Sequence, residues 1–205
     1  MKPWKTKTRK VILEQRPWLV VEHHTVELPD GKLIPEWPWI ITPDYVNVVA
    51  LTESGEFICF RQVKYGLEGM TLAIVGGFME EGEEPLAAAR RELLEETGYE
   101  SDDWVPLGRY RVDPNRGIAM GNLFLARNAR YVTPRDADDL EEQELIFLTR
   151  EAVESALAGG EFKVLSVGGR RREHRGDDGR REPKRPAAGR AAGDRPIRRA
   201  HRPAR

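Results

Sequence analysis

Gly77-Phe-Met-Glu-Glu-Gly-Glu83-Glu-Pro-Leu-Ala-Ala-Ala-Arg-Arg91-Glu92-Leu93-Leu-Glu95-Glu96-Thr-Gly98-Tyr99 is the stretch on which the reading of this chain turns. It is a glycine-bearing loop running into a helix. Pro85 suits the first helical position, Ala and Leu fill the middle, and Gly98 supplies a stop, so the spacing predicts a helix over 85–97. Leu86, Ala89 and Leu93 share one face and are expected to anchor the helix to a sheet. Glu92 and Glu96 stand four apart on another face, with Glu95 beside them. Like charges at that spacing destabilise a bare helix by roughly 0.2–0.5 kcal/mol. A divalent ion would remove that repulsion, since clustered carboxylates are hard oxygen donors suited to Mg²⁺ or Mn²⁺. A solvated acidic face is the plain alternative, and residue types alone leave both readings open.

Outward from this segment the chain reads mainly as strands. Trp18 to Leu28 is rich in β-branched and aromatic residues and ends at the Pro29-Asp-Gly31 turn. Leu33 to Thr42 carries Trp37-Pro38-Trp39. A third strand opens at Asp44-Tyr45-Val46 and ends at Glu53-Ser54-Gly55; a fourth runs from Glu56 to Val63, and the two are expected to form a hairpin. Later strands lie near Trp104 to Val112, Asn122 to Ala126 and Glu144 to Leu148, before a second helix over Thr149 to Ala158 that Gly159-Gly160 stops. The fold class is α/β (α+β): a mixed β-sheet sandwiched between helices, with an N-terminal antiparallel β extension. His23 and His24 are adjacent in a strand and point to opposite faces, which argues against a metal pair there.

Charge divides the chain. Residues 166–205 carry fourteen Lys and Arg against five Asp and Glu, whereas residues 1–165 carry nineteen against twenty-nine, so a net charge of −1 hides an acidic body and a basic tail. The tail has only Val167 and Ile197 as large apolar residues, too few to offset the entropy of ordering, and is expected to be disordered. Its Arg, Gly, Pro and Ala content suits either a basic arm or GC-rich DNA read out of frame. Three segments follow: 1–45, an N-terminal strand segment; 46–165, the main domain, which holds the 77–99 stretch; and 166–205, the tail. Apolar runs are too short to span a bilayer, no signal-peptide core is present, and the single Cys59 suits a reducing compartment, so a cytoplasmic protein is expected.

The 77–99 stretch resembles the Nudix box, GX5EX7REUXEEXGU with U a bulky apolar residue, at every fixed position. Seven fixed matches at background frequencies near 0.07 arise by chance about once in 10⁸ start positions. The resemblance implies a Nudix fold and a pyrophosphohydrolase using Mg²⁺, with Mn²⁺ possible. It places Glu92 and Glu96 as metal ligands, Glu95 as a further or outer carboxylate, and Arg91 with Glu83 as the pair fixing loop to helix. Gly76 would offer its carbonyl to the metal. In the acidic run Asp138-Asp-Leu-Glu-Glu142-Gln-Glu144, the resemblance assigns Glu142 as base and Glu144 as a metal partner.

Within the family, the N-terminal strands, the Arg61-Gln62-Val-Lys64 run and Pro114, fifteen residues beyond Tyr99, resemble the ADP-ribose and nucleoside diphosphate sugar branch. That branch implies a homodimer through the N-terminal strands, with Trp37 or Trp39 stacking on a base and Arg61 and Lys64 near phosphate. Two residues depart from it: Lys64 stands where the branch has Arg, losing a bidentate contact, and Ala73-Ile-Val-Gly76-Gly77 replaces Glu-x-Pro-Ala-Gly. The expected reaction is hydrolysis of the diphosphate of ADP-ribose or a nucleotide sugar, giving a nucleoside monophosphate and a sugar phosphate. A nucleic-acid 5′-end, cap or nucleoside triphosphate pyrophosphohydrolase is the alternative that the basic tail would favour, although the tail lacks aromatic residues for stacking on bases. A non-catalytic nucleotide sensor is disfavoured because every box carboxylate is present. The expected partner is a small nucleoside diphosphate derivative, not a membrane or nucleic acid.

Overall fold

The computed structural model describes residues 1–135 and 142–164, so residues 138–141 of the acidic run and the whole 166–205 tail lie outside the described residues. The elements are β1 (Lys5–Gln15), β2 (Leu19–Glu27), β3 (Leu33–Ile41), β4 (Tyr45–Thr52), β5 (Phe57–Val63), β6 (Met70–Phe78), α1 (Pro85–Thr97), β7 (Tyr99–Glu100), β8 (Asp103–Asp113), β9 (Ile118–Tyr131), β10 (Gln143–Leu148) and α2 (Arg150–Gly159). β1, β2 and β3 form an antiparallel sheet of their own. The other strands form a mixed sheet ordered β10-β5-β6-β4-β9-β7, with β8 also on β9. The β4–β9 pairing is parallel and the rest are antiparallel. Among the described residues no helix is long and apolar enough to cross a membrane.

Alternation explains the core. Val46, Val48 and Ala50 of β4, Ile58 and Phe60 of β5, and Ala73 and Val75 of β6 are buried in one cluster with Ala88, Ala89 and Leu93 of α1. Small alanines let α1 approach the sheet closely. Leu86 differs from expectation: it sits in the first turn, ahead of the buried stretch, and stays 37% exposed, so Ala88 and not Leu86 makes the contact.

The expected β4–β5 hairpin forms only at its tip, where Ala50 pairs with Ile58 and Leu51 with Phe57. Beyond that β6 inserts between the two strands, pairing with β5 from Cys59↔Ile74 to Val63↔Met70 and with β4 from Tyr45↔Phe78 to Val48↔Val75. The second helix starts one residue later than the spacing suggests because Thr149 is its cap, its Oγ1 accepting the Ala152 N–H at 3.3 Å.

The N-terminal sheet meets the main sheet at the β8–β9 turn. The Trp37 Nε1–H donates to the Asn115 carbonyl at 2.7 Å, the Ile40 N–H donates to the Arg116 carbonyl at 2.9 Å, and the Trp39 ring lies directly on Gly117.

Helix α1 ends on Gly98, at φ +76°, where an added Cβ would stand 1.9 Å from the Thr133 carbonyl oxygen. Gly82 has a similar φ of +78° with open space around it. Gly98→Ala should therefore lose more than the roughly 1–2 kcal/mol of left-handed strain expected for Gly82→Ala. Urea unfolding of the two variants measures the difference, and equal losses would show that the Thr133 contact yields freely.

Candidate active site

β6 delivers Gly76 and Gly77 to a point where β5 no longer pairs with it, since their last shared pair is Cys59↔Ile74. α1 fills that gap with carboxylates. The Gly76 N–H donates to Glu96 Oε2 at 3.3 Å. In an extended strand a residue's N–H and C=O project to the same edge, so the Gly76 carbonyl faces the Glu96 side as well. The Glu92 carboxylate lies over Gly77, where an added Cβ would come within 2.3 Å of it. An added Cβ at Gly76 would come within 2.4 Å of Asn47 Oδ1 and 2.5 Å of the Val46 carbonyl, so close approach requires both glycines. An open cleft of about 270 Å³, lined by Tyr45, Val46, Asn47, Gly76, Gly77 and Phe78, adjoins the pair.

Arg91 organises the acids. Its Nε and Nη2 donate to the two oxygens of Glu83, each at 3.0 Å. Its Nη1 donates to Glu92 at 2.8 Å and Glu95 at 3.2 Å, and Nη2 also reaches the Phe78 carbonyl at 3.1 Å. The second Glu83 oxygen also accepts the Glu80 N–H at 3.0 Å, which closes the loop on itself. The hydrogen bond from Arg91 holds the Glu83 carboxyl below its ordinary value, and Glu83 in turn raises the already high pKa of Arg91. Glu92 behaves oppositely. Burial pushes its carboxyl up, and the charge of Arg91 only partly counters this.

Among the described residues no three His, Cys, Asp or Glu side chains form a closed metal cage. The arrangement still fits a hydrated Mg²⁺ or Mn²⁺. Such an ion keeps several waters and needs only one or two carboxylates. Here Glu92 and Glu96 lie on adjacent glycines beside a strand edge whose carbonyl oxygen is available to the same space.

The remaining expected residues sit elsewhere. Glu144 pairs across strands with Arg61, the carboxylate accepting from Nη1 at 2.7 Å. Arg61 in turn faces Leu72, four residues along β6 from Gly76, or roughly 13 Å at ~3.3 Å per residue. The structure therefore does not bring Glu144 together with Glu92 and Glu96. Glu142 is exposed at the start of β10 and lines an open cleft of about 370 Å³ with Arg61, Gln62, Met70 and Glu144. Lys64 follows β5 and is half-buried. Pro114 opens the β8–β9 turn, whose Asp113 accepts the Asn115 and Arg116 N–H groups. Trp39 stacks on His24, ring centroids 5.1 Å apart, and His24 Nε2 lies 2.7 Å from the Glu22 carboxylate.

Sequence reasoning passed over Trp18, Asp44, Asn47, Met79 and Asn122. The Trp18 ring meets Phe78, next to Gly77, at 5.7 Å. Asn47 and Asn122 are buried on otherwise apolar strands, and a polar residue inside such a run was the signal available.

The NUDIX domain family matches residues 42–166, and the nucleoside diphosphate sugar hydrolase N-terminal domain matches residues 4–40. An ADP-ribose pyrophosphatase of Bacillus subtilis is 32% identical over 132 residues, which cover 64% of this chain and 70% of that protein. A methanol dehydrogenase activator of Bacillus methanolicus is 30% identical over the same shares. The crystal structure of an ADP compounds hydrolase superposes with a TM-score of 0.66 at 20% identity, over 77% of this chain and 84% of that one, and shares the fold.

Ionising Glu92 inside the fold is unfavourable, because its folded pKa lies above the unfolded one. The fold therefore loses stability as pH rises from about 4.3, the ordinary glutamate value, through the raised value. Glu92→Gln should leave chelator-treated protein at least as stable as wild type at pH 7, with the difference fading towards pH 4. Thermal unfolding across that range checks it; a variant clearly less stable at pH 7 would show that the Arg91 bond outweighs burial.

Proposed function

This chain belongs to the Nudix family and is one of its pyrophosphohydrolases, and on that premise we propose that it hydrolyses the diphosphate of ADP-ribose or a nucleotide sugar using a divalent metal. The observation that carries this reading is the laying of Glu92 and Glu96 on Gly77 and Gly76, with Arg91 fixing the loop between them. Bound there, Mg²⁺ (or Mn²⁺) would neutralise phosphate charge and make water acidic enough to act as nucleophile at neutral pH. The chain's own residues supply position. Arg91 and Glu83 hold the loop rigid, Glu95 completes the acidic rim, and the Gly76 carbonyl with Glu92 and Glu96 forms the ligand set.

Glu142 is our candidate for the base that takes the proton from water as oxygen attacks phosphorus and the bridging P–O bond breaks. Two monophosphates leave: a nucleoside monophosphate and a sugar phosphate. Glu142 is exposed on a cleft that also holds Arg61 and Glu144. Glu144, here bonded to Arg61 and apart from Glu92 and Glu96, is proposed as a metal partner only once phosphate has drawn that arginine away. Arg61 and Lys64 are proposed phosphate contacts, with Trp39 and Pro114 framing the nucleoside side. The N-terminal match supports a nucleoside diphosphate sugar, and the B. subtilis relative supports ADP-ribose.

Turnover is tested on a panel of ADP-ribose, nucleotide sugars, nucleoside triphosphates and 5′-capped RNA with Mg²⁺, products resolved by phosphorus NMR. ADP-ribose or a nucleotide sugar should lead. Glu92→Gln and Glu96→Gln should each keep less than about a tenth of activity, a barrier increase above ~1.4 kcal/mol. Glu142→Gln should lose more than Glu141→Gln, and equal mild losses in the two would remove Glu142 from its role.

We also read the chain as a cytoplasmic homodimer joined through residues 1–45, a segment separate from the 46–165 catalytic domain. All eleven residues of β1 are exposed, and Val11, Ile12, Leu13, Trp18, Leu33 and Ile41 present apolar surface that one chain leaves uncovered. Light scattering at micromolar concentration should give twice 23.4 kDa. A monomer would defeat the dimer while leaving the catalytic reading intact.

A further inference from the structure

We propose that Asp44 and Asn122 are positioning residues for the catalytic loop, holding it at Met79 as Arg91 holds it at Phe78 and Glu83. This rests on the reading of Glu92 and Glu96 as the metal-binding face.

The loop leaves β6 at Phe78 and enters α1 at Pro85. Arg91 grips it from the helix, whereas Met79 is gripped from the sheet. Its N–H donates to the Asp44 carbonyl at 2.9 Å, and its Sδ accepts from Asn122 Nδ2 at 3.3 Å. Asn122 is 3% exposed and also donates from Nδ2 to the Tyr45 carbonyl at 3.1 Å. Burying an amide on an apolar strand is unfavourable unless it is bonded, and both of these bonds go to residues flanking the glycine pair.

Asp44 is itself fixed by its side chain. Oδ1 accepts the Met120 N–H at 2.7 Å, and Oδ2 faces Arg109 Nη2 at 3.5 Å. Ala119, at φ +22°, turns the backbone just before Met120, at the point where β9 offers that N–H to Asp44. The short bond to Met120 carries the fixation, because the long and exposed Arg109 contact is worth little. Side chain 44 thus ties the start of β4 to β9, and backbone 44 passes that constraint to Met79, two residues beyond Gly77. Letting Met79 drift would shift Gly76 and Gly77 under the Glu92 and Glu96 carboxylates. Misplacements of about 1 Å lose on the order of a hundredfold in rate.

The test uses the full chain and the variants Asp44→Ala, Asp44→Asn, Asn122→Leu and Glu96→Gln. For each, kcat and KM are measured on the best substrate of the panel, and Mn²⁺ binding is followed without substrate by electron paramagnetic resonance of the free ion. Asp44→Ala should lower kcat by about ten- to a hundredfold and weaken Mn²⁺ binding, with KM changed by no more than about threefold. Asp44→Asn keeps an oxygen for the Met120 N–H and should stay within about threefold of wild type in both. Wild-type kcat and Mn²⁺ affinity in Asp44→Ala would overturn the proposal whatever the melting temperature, and so would an Asp44→Asn as impaired as Asp44→Ala. Should Asp44→Ala fail to fold, Asn122→Leu decides in the same way: lowered kcat and Mn²⁺ affinity support the proposal, and wild-type values overturn it. Glu96→Gln separates the two readings. If it retains Mn²⁺ binding and turnover, the metal-face reading falls and takes this inference with it. If it loses both while Asp44→Ala and Asn122→Leu lose neither, this inference alone fails.

Discussion

Much of the site depends on one guanidinium. Arg91 donates five hydrogen bonds, to Glu83 twice, to Glu92, to Glu95 and to the Phe78 carbonyl. Hydrogen bonds to charged groups contribute about 1.5–3 kcal/mol each when protected, as those to Glu83 and Glu92 partly are, whereas those to Glu95 and Phe78 are exposed and contribute less. Without that cation, the Glu83, Glu92 and Glu95 carboxylates would face one another uncompensated, and their repulsion would splay the loop. A lysine would not serve, because its point charge cannot bridge two oxygens of Glu83 and still reach the Phe78 carbonyl.

Arg91 restrains the acids but does not satisfy them all. Glu92 stays buried and its carboxyl stays raised, so this position is held at a disadvantage to the metal-free fold. A divalent ion bound there, as we propose, would relieve that disadvantage by adding positive charge where burial has removed water. Binding and folding would then be linked, since whatever stabilises the ionised Glu92 would favour the loaded state over the empty one. The glycine pair makes this possible, because any Cβ at 77 would occupy the space that the Glu92 carboxylate fills.

The legible parts of the sequence were those governed by near neighbours. Pro85 and Gly98 set the bounds of α1 as the spacing predicted, and Gly98 adopts the left-handed cap that such an ending requires. The Arg91–Glu83 pair also lay within one short segment. What the pattern did not reveal was the insertion of β6 between β4 and β5, because a glycine-rich run before a helix looks like loop until a second strand stops short beside it. Asp44 was opaque for the same reason: its partners are at 79, 109 and 120, and nothing local marks it. The Arg61 opposite Glu144 was equally opaque, because the two residues are far apart in sequence and meet only through the β5–β10 pairing.

The N-terminal strands and the loop that follows Gly77 are joined through aromatic contacts. Among the described residues, the first forty-one residues meet the main sheet through two sets of aromatic contacts that bear on the site. Trp37, Trp39 and Ile40 clasp the 113–117 turn that carries Pro114, and Trp18 presses on Phe78, the residue after Gly77. Aromatic contacts of this kind contribute about 0.5–1.5 kcal/mol beyond burial, enough to bias a loop but not to build one. The loop's own order comes from Arg91 and the sheet, so Trp18 acts on a segment already close to its working position. Phe78 is also the residue whose carbonyl Arg91 holds. A group that displaced Trp18 from Phe78 would therefore act on the same residue whose carbonyl Arg91 holds.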